Sequence, residues 1–182
     1  MATMLITEAL QQVKILTDRI QKKQRVVTQY ATHNSLFVDP LHKVGGSAKT
    51  VTEELASISD LEENLVKIRV AIQKKNLEVS LTLEGTTRTI AEWLIWRRDV
   101  APGTSNFKAV LSNSISVARN KLESEVKQAT ARAVEGQAVK EVNLVVHLDE
   151  KALAASSERL GVILGNLDGK LSVFNATTSI EV

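Results

Sequence analysis

The chain has 182 residues, long enough for a domain with a sizeable core, and 23 Lys and Arg against 21 Asp and Glu leave a net charge of only +2. Aromatics at 3% and two prolines disfavour β-sandwiches and barrels, and the absence of cysteine excludes disulfides, thiol catalysis and cysteine-based metal sites. Both signs of charge are interspersed along the helical stretches, unlike the one-sided basic face of a nucleic-acid-binding domain.

Residues 1–8 carry no basic segment followed by a long apolar run. No stretch approaches the roughly 18 apolar residues that span a bilayer. The expectation is a chain without a signal peptide, kept in the cytoplasm or carried in a virion. From Ile6 the pattern is a heptad. Ile6, Val13, Ile20 and Val27 repeat every seven residues, and Ala9, Leu16 and Tyr30 fall three positions after members of that row. Lys23 interrupts the second row, where a long side chain snorkels its charge to the edge of an apolar seam.

A second heptad runs through Val51, Ile58, Leu65 and Ile72, with Leu61 and Ile68 beside it. The seams cover similar lengths, about 37 Å and about 33 Å at 1.5 Å per residue, which suits an antiparallel hairpin over 1–76 or two faces each meeting another subunit. The connection, 32–49, is long for a helix-to-helix link and carries Leu36, Phe37, Val38, Leu41 and Val44 between the breakers Asp39-Pro40 and Gly45-Gly46. Two readings stand for it: a loop folded back over the ends of its own helices, or an apolar docking arm for a neighbour.

The period then changes. Leu77, Val79, Leu81 and Leu83 alternate with Glu78, Ser80, Thr82 and Glu84, which predicts a half-buried strand broken at Gly85. Thr89-Ile90-Ala91-Glu92 has the form of a capping box opening a helix that carries Trp93, Trp96 and Arg97-Arg98-Asp99 and stops near Pro102-Gly103. A long helix is predicted over 105–133. Its apolar positions Phe107, Leu111, Ile115, Ala118, Leu122, Val126, Ala129 and Ala133 give an eleven-residue repeat, close to the natural period of a straight helix. After Gly136 a strand is expected, with Val142, Leu144, Val146 and Leu148 on one face. Asp149 is placed to cap a last helix bearing Leu153, Leu160, Leu164, Leu167 and Leu171, and a strand follows over 176–182. The whole reads as one domain, 1–182, of predominantly helical α+β class: a heptad hairpin or bundle with a small β-sheet at one end. Residues 77–182 supply strand, helix, helix, strand, helix and strand.

Several features bear on chemistry. Gly161, Gly165 and Gly169 recur every fourth residue in the last helix, where each costs roughly 1 kcal/mol relative to alanine, so close packing within the domain or across an interface is the expectation. Glycines that cradle phosphate precede a helix rather than run through one. Trp93, Trp96 and Arg97 have the makings of a base-stacking platform, but two tryptophans on a capped amphipathic helix read first as a core anchor. Arg97 and Arg98 are expected to pair with surface acids. His33, His42 and His147 lack metal-ligand spacing, though the first two share the loop, where a weak metal or pH-sensing pair is the alternative. The acid pairs Glu53-Glu54 and Glu62-Glu63 read as solvated charge. No catalytic, cofactor or metal site is expected, and no cofactor.

Two stretches carry a family resemblance. One is Ile72-Gln73-Lys74-Lys75-Asn76 running into the strand 77–83, then Gly85 and the helix with Glu92 and Arg97-Arg98-Asp99. The other is Leu167-Asp168-Gly169-Lys170-Leu171 through Asn175 into Ala176-Thr177-Thr178-Ser179-Ile180. In each a helix is expected to end at an Asn and pass into a Thr/Ser-bearing strand. The pattern resembles the septicolysin-like family of small helical proteins, found in bacteria and among phage genes. The resemblance implies a helical bundle or hairpin with a small sheet at one end, often oligomeric, and brings no catalytic residues.

The functional expectation is therefore a non-enzymatic, homo-oligomeric assembly protein, foremost a phage virion component such as a capsid decoration or cement protein, with the major capsid protein or other virion proteins as partners. Its interface candidates are Leu36, Phe37, Val38, Leu41, Val44, Gly161, Gly165 and Gly169. The alternatives are a septicolysin-like membrane-active toxin and a cytoplasmic regulatory or nucleic-acid-associated module.

Overall fold

A computed structural model describes residues 3–132 and 143–182, the side chains of 131 and 132 excepted. The elements in chain order are β1 (Thr3–Leu5), α1 (Ile6–Tyr30), α2 (Ser47–Glu78), β2 (Ser80–Leu83), β3 (Thr86–Thr89), α3 (Ile90–Ile95), α4 (Ala101–Arg132), α5 (Glu150–Thr177) and β4 (Ser179–Glu181). A 3-10 turn at His42–Val44 and a π turn at Trp96–Val100 complete them. The fold is predominantly helical α+β, with two separate two-stranded sheets, β1–β4 and β2–β3, among the described residues.

The chain divides into two compact units. The first comprises Met1–Leu81, Thr89–Ala91 and Gly169–Val182; the second comprises Thr82–Arg88 and Glu92–Asp168.

In the first unit α1 and α2 form the expected hairpin, and the heptads are its seam. Ile6, Ala9, Leu16 and Ile20 of α1 are buried, as are Ile58 and Ile68 of α2, and the remaining members of the two rows are half-buried. Lys23 does not snorkel outward. Its Nζ meets Glu54 Oε2 at 2.6 Å, because Glu54 interrupts the second seam at the matching height. The base of the unit is closed by β1 and β4, antiparallel with Thr3 opposite Glu181, Met4 opposite Ile180 and Leu5 opposite Ser179. The Ile6 amide continues that ladder by donating to the Thr178 carbonyl at 2.9 Å. Glu8 Oε2 accepts from the Leu5 amide at 2.9 Å and so satisfies one free donor at the start of α1. Ile90, Leu171, Phe174 and Ile180 complete this core.

Both helix–Asn–strand junctions run two residues further than expected. Asn76 is buried inside α2, which continues to Glu78, and Asn175 lies inside α5, which continues to Thr177. Leu77 is consequently helical and 62% exposed, not the first residue of a strand. Alternation holds only over β2, whose Leu81 and Leu83 point inward. The turn after it has positive φ at Glu84 (47°) and Gly85 (77°), the pairing a two-residue hairpin needs, so β3 returns where a break was expected.

The capping-box position is followed by helix, which opens at Ile90 in the first unit, just past Thr89, and enters the second unit at Glu92. That helix does not stop at Pro102-Gly103. Pro102 has no amide to donate to the Arg98 carbonyl, and the chain absorbs the loss as a π turn in which the Ala101 amide reaches back to the Trp96 carbonyl. Helix then resumes as α4. The stripe Leu111, Ile115, Ala118, Leu122 and Val126 is half-buried as the eleven-residue repeat requires, but Phe107, 62% exposed, and Ala129, also exposed, lie off it. Lys108 takes the inner place, donating to the Ser156 carbonyl of α5 at 2.6 Å. That bond, Arg97 Nη1 to Asp168 Oδ1 at 3.0 Å and the Arg119–Glu150 ion pair set α5 antiparallel to the helices before it. Asp149 caps α5 as expected, its Oδ1 accepting from the Ala152 amide at 3.0 Å. No strand forms over 143–149, since alternating side chains make a strand only where a second strand offers an edge; Ala133, Gly136 and Val142 lie outside the described residues. The unit buries Leu83, Trp93, Ala101, Leu160 and Leu167.

Candidate interaction surface

The connection between α1 and α2 holds its shape through one carboxylate. Asp39 Oδ1 accepts from the Leu41 amide at 2.8 Å and from the Ser47 hydroxyl, while Oδ2 accepts from the Ser47 amide at 2.8 Å. Ser47 is buried at the first position of α2, so Asp39 acts as a cap supplied from eight residues upstream. The Ser47 hydroxyl foremost, then the Ser47 and Leu41 amides, draws the Asp39 carboxyl from its ordinary range to about 2. Gly45 and Gly46 close the loop at φ 104° and 95°, a left-handed region that side-chain-bearing residues avoid. The Gly46 amide donates to the Leu41 carbonyl at 2.9 Å, and the Leu36 amide to Asn34 Oδ1 at 3.0 Å.

This ordered backbone carries its apolar side chains outward. Leu36 is 85% exposed, Phe37 72%, Val38 73% and Val44 69%, and only Leu41 turns partly inward. The loop is therefore not folded back over its own helices. Four large apolar groups on a hydrogen-bonded scaffold form a patch of the kind that marks an interaction site.

The glycine ridge is placed differently from one of the two expectations. Gly161, Gly165 and Gly169 lie on an exposed face of α5, and a Cβ added at any of them meets nothing within 4 Å. Among the described residues they pack against no other element.

Trp93 is 2% exposed and makes an edge-to-face contact with Trp96, with ring centroids 5.4 Å apart. The Arg88 guanidinium lies 5.0 Å from the Trp93 ring and 6.0 Å from that of Trp96. With one ring buried and a cation already over both, the pair is a core anchor, not an open stacking platform. Arg97 pairs with Asp168 and Arg98 with Asp99 at 2.7 Å, as expected of surface arginines. His42 Nδ1 donates to the Asp39 carbonyl at 3.1 Å and so belongs to the loop scaffold. No group of three metal-ligating side chains occurs among the described residues, and none of their helices is long and apolar enough to cross a membrane. The acids Glu53, Glu62 and Glu63 stand on the exposed side of α2 as read, while Glu54 faces the seam.

Sequence reasoning found the arm by composition alone. What it missed was Asp39 as its organiser; the signal available was an Asp placed ahead of a Gly-Gly-Ser helix start, read only as part of an Asp-Pro breaker. Comparison with family models, with curated proteins and with solved structures finds no match to this chain.

Proposed function

We propose that the chain is a non-enzymatic assembly protein that docks onto neighbouring copies of itself through the arm of residues 36–44. The observation that carries this reading is the combination of order and exposure in the arm: a backbone fixed by Asp39 that holds Leu36, Phe37, Val38 and Val44 in solvent. Leaving such groups in water forfeits roughly 1.5–3 kcal/mol apiece of burial free energy, and an ordered scaffold lowers the entropy lost on docking. An apolar acceptor exists on the same chain. Phe107, Val110 and Val117 of α4, spaced to share one side of a helix, are 62%, 52% and 56% exposed. An arm on one copy and a stripe on the next make a head-to-tail contact, which propagates into rings or arrays.

In its finer form the reading is a phage virion component, a capsid decoration or cement protein; that form rests on the sequence resemblance. The test is solution mass by light scattering over a concentration series, for the wild-type chain and for L36S/F37S, with mass spectrometry of purified particles for the virion form. Association into species larger than a dimer that the double variant abolishes supports the docking arm. A chain that stays monomeric, is missing from particles and releases dye from liposomes would overturn the reading in favour of membrane activity.

A further inference from the structure

The hairpin uses one side of α2, and a second side carries four large aliphatic residues that stay exposed among the described residues, with Val70 at the rim of the groove beside β4. Leu55, Val66, Val70 and Leu77 are 51%, 59%, 46% and 62% exposed. At 3.6 residues per turn they fall within about 60° of arc, well away from the seam that faces α1. Isolated surface aliphatics need no explanation, but four on one stripe of a single long helix constitute a pattern.

The stripe is self-complementary. Laid antiparallel against a copy of itself about a two-fold axis through Val66, it sets Val66 against Val66 of the partner subunit. Leu55 and Leu77 lie eleven residues to either side of that axis, so each meets the other's counterpart. The charges beside the stripe follow the same register. Glu62 and Arg69 share one flank, and in the two-fold pairing Glu62 comes level with position 70 of the partner, next to the partner's Arg69. Neither Glu62 nor Arg69 has an ion-pair partner among the described residues, so both are available. In a parallel two-fold pairing Glu62 of one copy and Arg69 of the other would lie on opposite flanks and could not meet.

We infer that α2 is a two-fold interface, pairing with α2 of a second copy of this chain in an antiparallel register centred on Val66. The contact is a single helix pair roughly 34 Å long, at the small end of stable interfaces, so the dimer should dissociate on dilution. It deepens the assembly reading by supplying a partner and a symmetry: a two-fold pair that displays two arms.

The chain contains no cysteine, so single cysteines report the register without background. Under a mild oxidant Val66→Cys should crosslink to itself. Leu55→Cys alone should not, because the two copies of position 55 sit about 33 Å apart, while Leu55→Cys mixed with Leu77→Cys should crosslink. Charge reversal gives an independent test. Glu62→Lys and Arg69→Glu should each weaken dimerisation roughly tenfold alone, and their equimolar mixture should restore it, because only the mixed pair sets opposite signs together. Crosslinking of Leu55→Cys as strong as that of Val66→Cys, or no rescue in the mixture, overturns the two-fold register. Failure here with self-association still lost in L36S/F37S removes this interface and leaves the arm. Crosslinking at Val66 with no effect of L36S/F37S removes the arm and leaves this interface.

Discussion

Lys23 and Glu54 are the charged interruptions of two otherwise apolar heptad seams, and they meet each other, Nζ to Oε2 at 2.6 Å, with 31% and 25% of their side-chain surface exposed. A polar pair inside a helical seam contributes more to register than to stability, since every shifted alignment leaves both charges against aliphatic side chains.

Removing one partner and removing both should therefore differ in kind. Lys23→Leu leaves Glu54 unpaired against the seam and is expected to lower unfolding stability by about 1–2 kcal/mol. The double change Lys23→Leu with Glu54→Leu should return most of that loss, to within about 0.5 kcal/mol of wild type. Urea denaturation of wild type, the two single variants Lys23→Leu and Glu54→Leu, and the double variant checks it, and additive losses would show that the pair is uncoupled.

The arm should respond to acid. Its Asp39 carboxyl is held down at about 2 by the Ser47 hydroxyl and the Ser47 and Leu41 amides, so it favours the ordered arm when ionised. A depressed folded-state pKa gives stability that is fully present above the ordinary carboxylate range and lost as pH falls through about 2. Protection of the Leu41 and Ser47 amides, as exchange relative to the intrinsic rate at each pH, should fall across that window. Asp39→Asn should show low protection at neutral pH and no further loss on acidification.

The arm's apolar residues should matter for assembly and not for folding. Leu36 and Phe37 are 85% and 72% exposed, so L36S/F37S should leave the unfolding free energy within about 0.5 kcal/mol of wild type. The same protein should sediment as a smaller species. A large loss of stability would mean that the arm packs against its own hairpin.

Gly161 and Gly165 lie in the body of α5 with open space where a Cβ would go. Gly161→Ala and Gly165→Ala should each stabilise the chain by about 0.5–1 kcal/mol, since alanine restricts the unfolded chain and meets no clash. Thermal unfolding reads the sign. Stabilisation accompanied by weakened self-association would assign the ridge to a contact between copies.

The hairpin was legible because heptads state which side of each helix is covered; every residue of the two rows from Ile6 to Tyr30 and from Val51 to Ile72 is buried or half-buried. The stripe of α4 was legible for the same reason. Boundaries set by backbone geometry were not. Pro102 reads as a stop, but a π turn absorbs its missing amide. β3 is the polar run Thr86-Thr87-Arg88-Thr89, which has no apolar alternation and exists because the Glu84-Gly85 turn folds it onto β2. β1 spans three residues and depends on β4, which lies at the far end of the sequence. The arm's composition was visible, but nothing in Leu36-Phe37-Val38 says whether those side chains point inward, because that is decided by the hydrogen bonds of Asp39.

The central claim is that the exposed apolar surfaces of this chain are made for other copies of it. Sedimentation velocity of the wild-type protein from low micromolar to near-millimolar concentration tests it most directly. A 19.9 kDa monomer at the dilute end is expected to give way to dimers and then larger species, with L36S/F37S stopping at the dimer. A single 19.9 kDa species over the whole range would contradict it.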